Sequence, residues 1–208
     1  MKPTVIVMLK APHAGAVKTR LGREIGAAAA LSAYRGLVEH QLRQIPEDWP
    51  VHVCFSPADA EPEMRAWLGN EPIFFAQTSG DLGQRRAAAS RFHFSLSTAP
   101  LLFLGGDCPY LTGEYLRQFA LRFTGYDAAL APAADGGYCL LALRAENAEV
   151  FRDIAWSTGA VLGQTRQRLR ESGARWMEME TVEDVDDLAS WQRALAVFPA
   201  LGSVAPLR

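Results

Sequence analysis

Apolar and polar positions in this chain change period again and again, and the order of the changes predicts a fold. Continuous apolar runs at residues 4–9, 73–76, 101–104 and 127–132 have the character of buried strands, while 51–55 and 175–180 alternate with period two. Between them the spacing shifts to that of amphipathic helices. One alanine-rich segment after residue 21 runs to Pro46, and others cover 61–68, the stretch from a polar turn at 77–86 to about 94, and 112–123 with Thr112 as its N-cap. Two more helices follow, one introduced by 154–159 and running to about 172, the other opening at 184–188 and ending near Pro199. Residues 132–142 carry Asp-Gly-Gly between two apolar runs, which predicts a hairpin-like return. The alternation predicts an α/β protein with one mixed, mostly parallel sheet and helices on both faces.

Composition narrows the class. With 208 residues and 49% hydrophobic content, the chain suffices for a substantial core, and one domain over 1–208 is the simplest reading. A net charge of −2 provides no general attraction for nucleic acid or an anionic membrane, so any phosphate site must come from local clustering. Such clustering exists. Lys10, His13, Lys18, Arg20 and Arg23 stand near the start against Glu24 alone, and acids crowd residues 178–187. Cys54, Cys108 and Cys139 are odd in number and far apart, which fits neither a disulfide framework nor a zinc pattern and suits a reducing cytoplasm. No apolar stretch approaches the length of a membrane span. The expectation is a soluble cytoplasmic protein.

Three places carry candidate chemistry. In Leu101-Leu-Phe-Leu-Gly-Gly-Asp-Cys-Pro, a carboxylate follows a buried strand and two glycines, so Asp107 sits at the strand's carboxyl end, where open α/β sheets bind ligands. It is a metal ligand or catalytic carboxylate, or else the cap of a turn. The loop after the first strand, residues 10–21, joins Gly15 to Lys18 and Arg20 ahead of a helix, an arrangement suited to phosphate. It contains neither Gly-x-Gly-x-x-Gly nor Gly-Lys-Ser/Thr, which argues against a dinucleotide dehydrogenase and a P-loop kinase. His13 reads as incidental. At the far end, Asp184, Asp186 and Asp187 either favour a helix N-terminus or supply further carboxylates to a cation shared with Asp107. Asp81 reads as a helix cap, Arg85 and Arg86 either face the ligand edge or not, and Asp135 lies in a turn signal that also lets backbone approach a substrate.

Taken in order, Lys10-x-Pro12-x-x-Gly15-x-Val17-Lys18-Thr19-Arg20-Leu21, Gly80-Asp81-Leu82-Gly83, Gly106-Asp107-Cys108-Pro109, Pro132-Ala-x-Asp135-Gly136-Gly137-Tyr138, Trp156-Ser157-Thr158 and Asp184-Val-Asp186 resemble a GT-A-like transferase family. That family, once a domain of unknown function, has since been described as radical-SAM/selenodomain-associated transferase 1 or as an arsenosugar-type glycosyltransferase. The resemblance spans nearly the whole chain. It implies the nucleotide-diphospho-sugar transferase fold, a three-layer αβα sandwich. It also implies that Lys10, Pro12, Gly15, Lys18, Thr19 and Arg20, with Gly80 and Asp81, bind the nucleotide. Asp107 would hold a divalent metal, Mg or Mn, with Asp186 or Asp184 reaching it from the C-terminal end. Asp107, Asp135 and Lys18 would be catalytic, while Gly136, Gly137, Tyr138, Trp156, Ser157 and Thr158 would line the acceptor side. One departure stands out: many sugar transferases of this fold carry Asp-x-Asp, and position 105 here is Gly. A lone Asp with a basic loop is similar to nucleotidylyltransferases. The expected activity is glycosyl transfer from a nucleotide sugar to a small-molecule acceptor. The alternatives are nucleotidyl transfer to a phosphorylated acceptor with release of pyrophosphate, and a non-catalytic nucleotide-binding module.

Overall fold

The structure, a computed structural model, describes residues 2–202. Its strands are β1 (Thr4–Lys10), β2 (Val51–Ser56), β3 (Ile73–Ala76), β4 (Leu101–Leu104), β5 (Ala128–Pro132), β6 (Tyr138–Leu143) and β7 (Trp176–Glu178). Among the described residues these seven form one sheet in the order β3-β2-β1-β4-β6-β5-β7. β1 pairs in parallel with β2 and β4, β2 with β3, and β5 with β7, whereas β6 runs antiparallel to β4 and β5. The sheet is therefore mixed and mostly parallel, as expected. The chain steps outward from β1 to β3, then returns to place β4 on the other side of β1. Such a reversal of strand order opens a crevice at the carboxyl ends of the two central strands.

Side-chain alternation divides the core between the two faces. Val5, Val7 and Leu9 join Val53, Phe55, Leu102 and Leu104 in one cluster with α2 (Ala27–Gln44), α3 (Glu61–Leu68) and α5 (Gly113–Arg122). Ile6, Cys54, Leu101, Phe103 and Leu141 point the other way, towards α4 (Leu82–Leu96) and α6 (Val161–Glu171). Each fully buried leucine contributes about 1.5–3 kcal/mol relative to exposure, so these two apolar layers hold the sheet, and its polar edge is left free for chemistry. No helix among the described residues is long and apolar enough to cross a membrane.

Two elements differ from the sequence reading. The alanine-rich segment is two helices, α1 (Thr19–Ile25) and α2, because Gly26 at φ 89° breaks the run and caps both. The last helix, α7 (Leu188–Val197), begins after the acidic stretch, since Asp187 and Ser190 form a capping box at its start. Asp184 and Asp186 thus lie outside the helix. Residues 133–137 connect β5 to β6 as a five-residue loop in which Asp135 Oδ1 accepts from Gly137 N at 2.8 Å. This is an Asx turn and not a type I′ turn, because Gly136 but not Asp135 has positive φ.

Candidate active site at the carboxyl edge of the sheet

The parallel topology brings distant pieces of sequence to one edge. β1 delivers the basic loop, β4 delivers Asp107, β5 delivers the Asp135 loop, and β3 leads into the start of α4 with Arg86. After β7 the chain returns to the same edge. There Val182 bridges to Ala133, and Val185 N–H donates to the Asp107 carbonyl at 3.0 Å, which lays residues 184–186 over Asp107.

Lys18 is the hub of this edge. It sits at φ 44° just before α1, and its side chain is 7% exposed. Its Nζ donates to Asp107 Oδ2 at 2.7 Å, to Asp186 Oδ1 at 3.1 Å and to the Val185 carbonyl. Those acceptors use all three ammonium N–H groups. Burial alone lowers the pKa of an amine, yet the charges of Asp107 and Asp186 overcome it and raise that of Lys18. Burial likewise opposes the Asp107 charge, but Lys18 outweighs it and holds the carboxyl below its usual range. Arg20 donates from Nη1 to Asp186 Oδ2 at 3.1 Å and stays 67% exposed, so the rest of its guanidinium faces outward. Among the described residues, Asp184 has no cation of this kind. Burial, then the charges of Asp107, Asp135 and Asp186, pushes its carboxyl up to about 6.

One carboxylate oxygen from each of Asp107, Asp184 and Asp186 lies within 4.8 Å of the others. An all-oxygen anionic set at this spacing suits a hard divalent cation such as Mg or Mn. Lys18 now bridges two of the three, so a metal held by all of them would take over part of its neutralising role. At Gly105, where Asp-x-Asp would place its first acid, a Cβ would lie 3.0 Å from Asp107 Oδ1 and 3.1 Å from Cys108 Sγ, a tight fit against two side-chain atoms. A Cβ at Gly106 would press within 2.8 Å of Leu9 Cδ2, so its small size serves core packing.

Two cavities meet over this cluster. One, of about 520 Å³, is bounded by Lys10, Lys18, Thr19, Arg20 and Tyr34. The other, of about 440 Å³, is bounded by Asp135, Gly137, Tyr138, Trp156, Ser157 and Thr158, with Asp184. Asp107, Asp186, Arg20 and Arg86 border both. Of the residues named from the sequence, Lys10, Lys18 and Thr19 border only the first cavity, Asp135, Gly137, Tyr138, Trp156, Thr158 and Asp184 only the second, and Arg20 and Ser157 border both. Pro12, Gly15, Gly80 and Asp81 line neither. Asp81 caps α4 in a capping box with Gln84. Gly136 is a packing residue: its Cβ would lie 2.5 Å from the Gly159 carbonyl oxygen, so the close backbone approach is to the 155–160 loop. His13 pairs with Glu63 at 2.7 Å on the exposed surface.

Sequence reasoning left both Arg85 and Arg86 undecided, and of the two Arg86 faces the site. Its Nη1 donates to Tyr138 Oη at 2.7 Å, and its guanidinium lies 5.0 Å from the ring centres of both Tyr138 and Trp156. Arg85, beside it in sequence, turns back to Gln77 Oε1 and the Asp81 carbonyl. Only the helical phase of α4 separates the two, and phase is not readable from a pair of identical residues.

Comparison with known proteins places this geometry. The family model described as uncharacterized proteins conserved in bacteria, DUF2064, matches residues 41–158. A crystal structure from Desulfovibrio desulfuricans G20, provisionally described as a nucleotide-diphospho-sugar transferase, superposes with a TM-score of 0.85 at 30% identity, covering 98% of this chain and 90% of that one. More distant likenesses show the fold alone. The inositol-1-phosphate CTP transferase of T. maritima has a TM-score of 0.58 at 9% identity, with 98% of each chain covered. A manganese complex of Rv0371C from Mycobacterium tuberculosis H37Rv has a TM-score of 0.54 at 17% identity, over 94% of this chain and 99% of that one. No curated protein matches. With more than half its length matched by one family model and a 30% identical structure spanning nearly all of it, the chain belongs to the DUF2064 family and has the nucleotide-diphospho-sugar transferase fold.

Proposed function

We propose that this protein is an enzyme that transfers a group from a nucleotide-activated donor to a small-molecule acceptor, the donor being a nucleotide-diphospho-sugar. The observation that carries this reading is the pair of cavities meeting over Asp107. A two-substrate transfer needs donor and acceptor in contact across the reacting atoms, with charge control where the bond breaks. The basic-loop cavity takes the nucleotide, and Arg20, largely exposed, meets its phosphates. Asp107, Asp184 and Asp186 are the residues that would hold a divalent cation, which supplies positive charge to the departing diphosphate. Lys18 gives the same acids a built-in counter-charge and becomes available to the diphosphate to the extent that Asp107 or Asp186 releases it. Asp135, which borders the acceptor cavity, would take the proton of an attacking hydroxyl.

Nucleotidyl transfer is the second reading, favoured by Gly105 in place of a second acid before Asp107. The products separate the two. Incubation with Mg or Mn and a panel of nucleotide sugars should release nucleoside diphosphate slowly. The four triphosphates with a mixture of phosphorylated acceptors should yield no pyrophosphate. Asp107→Asn should abolish the metal dependence of the hydrolysis. Acceptor-dependent pyrophosphate would replace the first reading with the second.

A further inference from the structure

The cations of the site differ in one respect. Lys18 and Arg20 are both paired with carboxylates, whereas Arg86 has no carboxylate within salt-bridge distance among the described residues. Its Nη1 is used by Tyr138, and among the described residues its buried Nε has no hydrogen-bond partner and its Nη2, which is not sealed away, has none either. Nε–H and Nη2–H lie on the same edge of a guanidinium and form the fork that binds a carboxylate or phosphate through two hydrogen bonds. An arginine held between two aromatic rings has already lost most of its rotamer freedom, so little more is lost when an anion binds. Arg86 borders both cavities, but Tyr138 and Trp156, which hold it, border only the acceptor cavity, so its anchoring contacts lie on that side. Besides Arg86, the charged residues on that cavity's wall are Asp107, Asp135, Asp184, Asp186 and Arg20, the last paired with Asp186. A neutral acceptor would leave the Arg86 charge and its buried Nε–H unanswered, at the cost of an unsatisfied buried donor.

We infer that Arg86 forms an anion subsite, and that the acceptor of this enzyme is a small hydroxyl compound that also carries a phosphate or carboxylate group. The inference rests on the two-cavity transferase reading and adds the acceptor's chemical class to it. The hydroxyl reacts over Asp107 while the anionic group is anchored at the Arg86 fork, away from the acidic cluster that would repel it.

The test measures the two cavities separately. The wild-type protein is first titrated calorimetrically with a nucleoside diphosphate in the presence of Mg. The nucleotide-saturated protein, its phosphate loop now occupied, is then titrated with glycerol 3-phosphate, with glycerate and with glycerol. Binding of at least one of the two anions, and none of glycerol, is expected, and the stronger anion identifies phosphate or carboxylate as the anchored group. Arg86→Gln should lower that affinity by tenfold or more while nucleotide affinity stays within twofold. Arg86→Lys, which keeps the charge and loses the fork, should fall between and serves in place of Arg86→Gln if that variant does not fold. Anion binding equal in wild type and both variants, no anion binding to the nucleotide-saturated wild type, or loss of nucleotide affinity in the variants would each overturn the inference. Failure of the first titration alone would instead remove the transferase reading on which it stands.

Discussion

Lys18 shows why single residues of this site resist a reading by type. A lysine beside a glycine-bearing loop suggests a phosphate ligand, yet its three N–H groups are taken by Asp107, Asp186 and the Val185 carbonyl. Its first duty is to hold acids together that would otherwise repel. Replacing it with methionine keeps the apolar stem and leaves Asp107 and Asp186, beside Asp184, without their internal cation. The expected loss of stability is about 2 kcal/mol, below that for a sealed ion pair because Asp107 is still 33% exposed. Added Mg should restore part of the lost melting temperature in Lys18→Met and change the wild type less, a comparison that thermal shift measures directly. A variant that melts lower and ignores Mg would show that the three acids do not hold a metal. Asp107 was legible as a candidate from its place after a buried strand, and the structure adds its partners. Arg86 was not, because the face of α4 it occupies depends on how that helix is seated against Tyr138 and Trp156.

At the scale of the element, the acidic stretch before α7 separates into two functions that sequence left open. Asp187 caps the helix through Ser190, accepting its backbone N–H at 2.8 Å, while Asp186 turns to Lys18 and Arg20. Asp187→Ala should therefore cost about 1 kcal/mol of stability, the usual loss for an N-cap, and leave metal affinity unchanged. Asp186→Ala should weaken metal binding instead and loosen the Lys18 contact. Urea denaturation and a metal titration on both variants check this division, and a reversed pattern would assign the cap and the ligand the other way round. The split of the alanine-rich segment into α1 and α2 belongs at this scale too. Alanine favours helix throughout, so only Gly26 signals the break, and an isolated glycine within a helical pattern is weak evidence on its own.

At the scale of the molecule, the mixed sheet gathers residues as far apart as Lys18 and Asp186 at one edge. A ligand bound there should leave its trace only on that edge. Hydrogen exchange with Mg and a nucleoside diphosphate should slow amides in residues 11–20, 105–108 and 183–187, and leave unchanged those of 45–50 and 70–72 at the opposite end of β2 and β3. Protection confined to the latter would move the nucleotide out of the proposed cavity. The sequence by itself determined the strands, most helices and the polar segments that interrupt them, because period and turn chemistry are local properties. It also made Asp107, Asp135 and the basic loop visible, since each follows a strand whose carboxyl end must face a loop. Only the tertiary structure decided which of these residues meet. Strand order brings β4 beside β1 and returns β7 beside β5, and that long-range pairing sets the distance from Lys18 to Asp186. Contacts over such separations depend on how apolar faces pack against one another, a property of the assembled sheet and not of any segment within it.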